Sequence, residues 1–286
     1  MSTNNTPNIP NAFNTINPIS IINNKYNIEK IISSGSFGNV YKCIYNNKYY
    51  AIKEDINYKT LKHEATIYKE LRSVKNVSML YDFFNFNSKY YMVLDLYEYT
   101  LINFKYRYKD AKNYIDSILL LMRTLIITIE HIHHLGIIHR DIKPNNICMD
   151  NNFNPHIIDF GLSKKIIQNN IHLTEKKTHN IIGSYNFISI NVFNMTEPSR
   201  RDDIESLMYI FIYMLLTDQG YVEYDQLNIS CKKKINYIQA ILSRNNVINS
   251  VEDIKIINNL ITSLQYIRKL NFSQKPNYAY LSSLLD

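Results

Sequence analysis

The sequence predicts an α+β fold of two lobes, a small antiparallel β-rich lobe with one main helix followed by a larger, mostly helical lobe. Three observations predict it. Short runs of alternating β-type residues crowd positions 26–94, and a long apolar stretch with helical period starts at Tyr114. The 286 residues, 45% of them hydrophobic, suffice for a sizeable core.

The chain opens on an arm, 1–25, with eight Asn and Pro7, Pro10 and Pro18, a composition expected to be disordered. Asn, Ile, Lys and Tyr are abundant throughout, so Asn richness carries no functional argument. The arm lacks the basic and apolar regions of a secretory signal, and no later apolar run approaches the roughly 20 residues of a membrane span. Three widely spaced cysteines, Cys43, Cys148 and Cys231, suggest neither a disulfide framework nor a Cys-x-x-Cys metal site. A soluble, intracellular monomer is expected. The net charge of +7 is dispersed, with clusters only at Arg200-Arg201 and at 232–234. That pattern fits a solvated surface or attraction to acidic substrates better than nucleic-acid binding.

Three strands are expected at 26–32, 39–45 and 49–53. Between the first two lies the turn Ser33-Ser34-Gly35-Ser36-Phe37-Gly38-Asn39-Val40, whose glycines let backbone N–H groups approach a phosphate. Alone, an ordinary β-turn explains it as well. Lys53 then leaves an apolar strand as Ala51-Ile52-Lys53, and a helix expected over 60–71 offers Glu64 as its ion-pair partner. Glu70 lies on another face of that helix. Strands follow at 77–84 and 89–94, with a turn at 85–88, and residues 95–98 break the pattern as a hinge. A core helix is expected over 114–135, ended by Gly136. His131, His133 and His134 crowd its end, but no second pair follows at zinc-like spacing, so packing and helix-end charge are their expected roles.

His139-Arg140-Asp141-Ile142-Lys143-Pro144-Asn145-Asn146, followed by Asp159-Phe160-Gly161, supplies two carboxylates, a carboxamide and a lysine within about twenty residues. This is the inventory for holding Mg²⁺ and nucleotide phosphates beside an acceptor hydroxyl. Read without that chemistry, Asp141 and Asp159 would cap turns and Asn146 would be an Asx-turn residue.

Gly-rich turn, Ala-Ile-Lys, helix Glu, His-Arg-Asp and Asp-Phe-Gly occur here in that order, and from Tyr26 onward the chain resembles a eukaryotic-type protein kinase. The resemblance implies a bilobal kinase fold with ATP in the cleft between the lobes. Asp141 would orient the acceptor hydroxyl and take its proton, Lys143 would contact the γ-phosphate, and Asn146 and Asp159 would hold Mg²⁺. Lys53, with Glu64 behind it, would position the α- and β-phosphates. Ile32, Ser33, Ser34, Gly35, Ser36, Phe37, Gly38, Val40, Ala51, Asp95 and Tyr97 would complete the nucleotide site. Lys143 in His-Arg-Asp-x-Lys-Pro-x-Asn implies Ser/Thr specificity and protein substrates.

Three further stretches resemble the casein kinase 1 family: Ser199-Arg200-Arg201-Asp202-Asp203-Ile204-Glu205-Ser206-Leu207, Gly183 to Asn191 with its Ser-Ile-Asn ending, and Lys275-Pro276-Asn277-Tyr278-Ala279-Tyr280-Leu281. By that resemblance Asp203 starts the helix that anchors the catalytic loop, and Arg268 is structural. Ser33 stands where the family has its first loop glycine, and Asn186 where it commonly has an arginine that helps bind an anion. These departures, with the missing Ala-Pro-Glu, motivate the alternative of a pseudokinase acting as a binding or scaffold module. Phosphorylation of a small molecule is a third reading, disfavoured by the Ser-Arg-Arg-Asp-Asp stretch.

Overall fold

The computed structural model describes residues 21–35, 38–169, 171–227, 230, 233–245 and 251–286. The chain divides into two compact units. The first holds the described residues up to Tyr58 together with Tyr81–Leu96; the second holds Lys59–Leu80 and Tyr97–Asp286. The expected β-rich lobe, 26–94, includes one main helix; by compactness the stretch that carries it, Lys59–Leu80, groups with Tyr97–Asp286.

The first unit is built on a six-stranded sheet in the order β1-β2-β3-β4-β6-β5. Its strands are β1 (Ile21–Ile22), β2 (Tyr26–Gly35), β3 (Gly38–Tyr45), β4 (Lys48–Asp55), β5 (Leu80–Phe86) and β6 (Lys89–Asp95). Asn46 and Asn47 turn β3 into β4, and Asn87 and Ser88 turn β5 into β6, all at positive φ, which Asn tolerates better than most residues. Tyr26, Cys43, Ile52, Tyr91 and Val93 bury one side of the sheet. The expected disordered arm falls outside the described residues up to position 20. Within the arm's last described residues, Ile21 and Ile22 pair with Asn27 and Tyr26, and Ile22 is buried.

The second unit is mostly helical. α1 (Tyr58–Glu70) buries Leu61, Glu64, Ala65, Ile67 and Tyr68, one face of a 3.6-residue period. α2 (Leu101–Tyr108) was not expected; Thr100 and Asn103 form its capping box. α3 (Tyr114–His134) is the expected core helix and ends before Gly136, at φ +72. Three short strands, β7 (Tyr99–Thr100), β9 (Ile147–Met149) and β10 (Pro155–Ile157), form one sheet in the order β10-β9-β7, and β8 (Ile137–Ile138) pairs with β11 (Lys164–Lys165). α4 (Ile190–Phe193) leads to α5 (Arg200–Leu215), whose sixteen residues are all buried. α3 and α8 (Val251–Ile267) pack on it, with α6 (Asp218–Gln226), α7 (Ile235–Arg244) and α9 (Tyr278–Ser283) completing the unit. Among the described residues no helix is long and apolar enough to cross a membrane.

Candidate active site

In the first unit, β2 and β3 form the hairpin of the Gly-rich turn. Ser33 faces Val40, Ser34 faces Asn39 and Gly35 faces Gly38, with a register shift between Ile31 and Ser33 that leaves Ile32 as the extra residue of a bulge. Ser36 and Phe37 lie outside the described residues. Gly38 is obligatory: φ is +122, and an added Cβ would lie 1.9 Å from the Glu54 carbonyl oxygen. Asn39 ties this hairpin to a buried carboxylate. It accepts the Ser34 hydroxyl at 2.8 Å and donates to Glu54 at 3.3 Å, and Glu54 also accepts from Tyr41, Lys89 and Tyr91. Burial alone would raise the Glu54 carboxyl, but these donors hold it below the usual range.

The next two pairings of the sheet bring more of the expected nucleotide residues into line. Val40 faces Lys53 across β3 and β4, and Ala51 faces Leu94 across β4 and β6, beside the facing pair Tyr50 and Asp95.

The second unit carries Glu64, Tyr97, Asp141, Lys143, Asn146 and Asp159. Tyr97 stacks on His156, ring centroids 4.5 Å apart. Pro144 starts the 3-10 turn Pro144–Asn146, which folds Asn146 back so that its Nδ2 donates to the Asp141 carbonyl at 2.9 Å and to Oδ2 at 3.1 Å. The same Oδ2 accepts Lys143 Nζ at 2.7 Å, and Oδ1 accepts the backbone N–H of Ser184 at 2.8 Å. Lys143 also donates to Ser184 Oγ at 2.9 Å. Asp141 is 8% exposed, so its carboxylate is fixed by these donors rather than by bulk water.

The loop that begins at His139 is held by α5. Asp203, in its first turn, accepts the N–H groups of His139 at 2.7 Å and Arg140 at 2.9 Å. Burial alone would raise Asp203, but the bonds from His133 and the His139 backbone overcome it and keep the carboxyl low. Arg140 stands at φ +69 and Asp159 at +64, left-handed conformations that cost on the order of 1–3 kcal/mol unless their surroundings fix them. The N–H of Asp159 is fixed by the hydroxyl of Tyr68 on α1, at 3.0 Å, and Gly161 sits against the Glu64 carboxylate, where an added Cβ would lie 3.6 Å from Oε2.

Sequence reasoning missed Ser184, as a ligand of Asp141, and Tyr68. It did find His133, but as a packing residue; the structure gives it Asp203 on one side and Tyr278 on the other. His134 lies 2.6 Å from Lys275. Arg268, expected to be structural, donates to Glu205 at 2.9 Å and to Tyr209 at 2.8 Å.

This ordering of hairpin, lysine strand, helix glutamate and paired loops is matched by the sequence pattern of the protein kinase domain over residues 26–277. The chain belongs to the protein kinase family. The kinase is also 32% identical, over 269 residues, to a probable casein kinase I homolog of Encephalitozoon cuniculi (strain GB-M1), a match spanning 91% of this chain and 84% of the relative. It is an ATP-dependent serine/threonine protein kinase of the casein kinase I type, and the pseudokinase alternative is not favoured. Protein kinases generally work with ATP and Mg²⁺.

Proposed function

We propose that Asp141 is the base through which the kinase phosphorylates Ser and Thr hydroxyls of protein substrates. The supporting observation is the convergence of Lys143 Nζ, Asn146 Nδ2 and the Ser184 N–H on one carboxylate. A carboxylate so held has few rotamers, which suits it to orient an acceptor hydroxyl and receive its proton as the oxygen attacks the γ-phosphorus. Lys143, already beside Asp141, neutralises charge on the transferred phosphoryl oxygens.

Asn146 and Asp159 suit Mg²⁺ because both offer hard oxygen donors. The two bonds from Asn146 Nδ2 to Asp141 fix the amide, so Oδ1 is the atom that would serve as a metal ligand. Asn146 and Asp159 would hold the ion, whose positive charge would offset the negative charge of the phosphates. In the first unit, Lys53 would hold the α- and β-phosphates beneath the β2–β3 hairpin; in the second, Glu64 is the acidic residue assigned to the same task. Ile32, Val40, Ala51 and Asp95 would complete the first unit's share of the nucleotide site, and Tyr97 the second's.

Asp141→Asn tests the reading in a peptide kinase assay. It keeps an acceptor for Ser184 but not the base, and kcat falls by about 10²–10⁴-fold. Equal phosphate incorporation by the two forms would sink the assignment. Asp159→Asn separately tests the metal role, with an expected rise in the Mg²⁺ needed for half-maximal activity.

A further inference from the structure

Tyr278 begins α9, one position past the matched kinase domain, and none of the roles above uses it. Its hydroxyl lies 2.7 Å from His133 Nδ1, and His133 Nε2 lies 2.9 Å from Asp203 Oδ2. The line then divides into the two backbone bonds that hold His139 and Arg140, directly before Asp141. Tyr278, His133 and Asp203 are each 2% exposed, so water is largely shut out of the row.

The chemistry of the three groups sets the protons. An ionised Asp203 only accepts, so His133 Nε2 carries a hydrogen and donates it. Burial lowers the His133 pKa and keeps the ring neutral, so Nδ1 is an acceptor and the Tyr278 hydroxyl donates to it. The phenol thereby satisfies the ring nitrogen that Asp203 leaves as an acceptor and pins the ring between the two groups. Asp203 needs that bond, because its two backbone partners hold Arg140 in a left-handed conformation that would otherwise relax. Arg140 is also constrained from the far side, where its carbonyl oxygen would lie 2.5 Å from a Cβ on Gly183.

We propose that Tyr278 is a positioning residue for Asp141, acting through His133 and Asp203, so that the C-terminal helix sets the geometry of the catalytic loop. Removing the hydroxyl leaves His133 Nδ1 without its donor and the ring free to shift against Asp203, and the base is then misplaced without loss of any substrate contact. The idea rests on the assignment of Asp141.

The test compares the full chain with Tyr278→Phe. The expected result is a kcat five- to twentyfold lower with KM for ATP and for peptide within twofold of wild type. Histidine ¹⁵N spectra should show the His133 Nδ1 resonance moving to that of an acceptor nitrogen without a hydrogen-bond donor, with Nε2 still protonated. Tyr280→Phe, on the same helix but 37% exposed, should leave kcat unchanged. If Tyr278→Phe fails to fold, His133→Gln, whose amide offers one donor and one acceptor, should retain far more kcat than His133→Leu. A kcat for Tyr278→Phe within twofold of wild type, a loss appearing equally in both KM values, or equal activity of the two His133 variants would overturn the proposal. An active Asp141→Asn would instead remove the assignment on which it rests.

Discussion

The hydroxyl oxygen of Tyr68 accepts the backbone N–H of Asp159 at 3.0 Å. Its ring meets Phe160 edge-on, centroids 5.1 Å apart at 75°, and Phe160 in turn packs on His139 at 4.8 Å. One side chain of α1 thus fixes both the left-handed Asp159 and the aromatic residue after it. Tyr68→Phe keeps the ring and orphans the N–H, a cost of about 1–3 kcal/mol. Urea unfolding should show that loss, and a Mg²⁺ titration of activity should shift to higher concentration. Wild-type behaviour in both would mean that Asp159 is held by other contacts.

Arg268 and Glu205 form a second long-range tie, between the end of α8 and the middle of α5. The Glu205 carboxylate, 1% exposed, accepts Arg268 Nε at 2.9 Å and Tyr209 OH at 2.6 Å, and is approached by the N–H of Ile190 at 3.4 Å. Arg268→Ala leaves a buried charge without its counter-ion, and the expected loss is about 3–5 kcal/mol. The double variant Arg268→Met, Glu205→Leu should recover much of it, since the charge that must stay buried is then gone. A urea midpoint for Arg268→Ala equal to wild type would show that water reaches Glu205.

The extent to which these features are legible in the chain depends on how far apart their members lie. His139 to Asn146 are consecutive, so the motif already contains the carboxylate and two of its donors, and the 3-10 turn starting at Pro144 joins them. Ser184 is 43 residues from Asp141. Only Gly183 marks the approach, at φ +98 and with room for no Cβ beside the Arg140 carbonyl, and a glycine in a sequence does not announce its φ. Tyr68 reads as a core aromatic at helical spacing, which it is; its hydroxyl acquires a role only when Asp159 arrives. α2 escapes because eight residues with three buried ones, Leu101, Phe104 and Lys105, give too short a period to detect. Ile21 and Ile22 lie inside the Asn-rich arm, and composition averaged over that arm hides a two-residue strand.

Asn186 donates to the Asp225 carboxylate at 2.8 Å, two residues past Ser184, whose backbone N–H binds Asp141. Lys233, 1% exposed, places its ammonium 3.6 Å over the Tyr209 ring and 3.4 Å from the Asn186 carbonyl oxygen. A substrate phosphate arriving at Asn186 therefore meets a carboxylate and a lysine turned to an aromatic face. Paired peptides with and without a phosphoserine near the acceptor should show no gain from the phosphate. Asn186→Arg combined with Asp225→Asn should lower KM for the phosphorylated member by about tenfold, the worth of one charge-assisted hydrogen bond. A wild-type kinase that already favours the phosphopeptide would contradict this view of the surface.

Lys105 donates to the Tyr213 carbonyl at 2.6 Å, in the last turn of α5, where helix carbonyls lack partners of their own. Tyr114 takes the next carbonyl, of Met214, at 3.1 Å, and the Lys105 ammonium lies 4.2 Å from the Tyr213 ring centroid. The side chain is 1% exposed, and burial pushes its pKa down to about 8, against a smaller opposing pull from Asp218. The folded protein therefore releases this proton before the unfolded chain does. Between about pH 8 and 10.5 the unfolded state binds more protons, so this residue's contribution to stability rises with pH across that window. Below it both states are charged and the burial penalty is present in full. Lys105→Met keeps the apolar stem and removes the titration. The stability of wild type relative to the variant should climb by on the order of 3 kcal/mol from neutral pH to the top of the window, read from urea unfolding at each pH. A difference that stays flat would mean that the ammonium is solvated rather than enclosed at the end of α5.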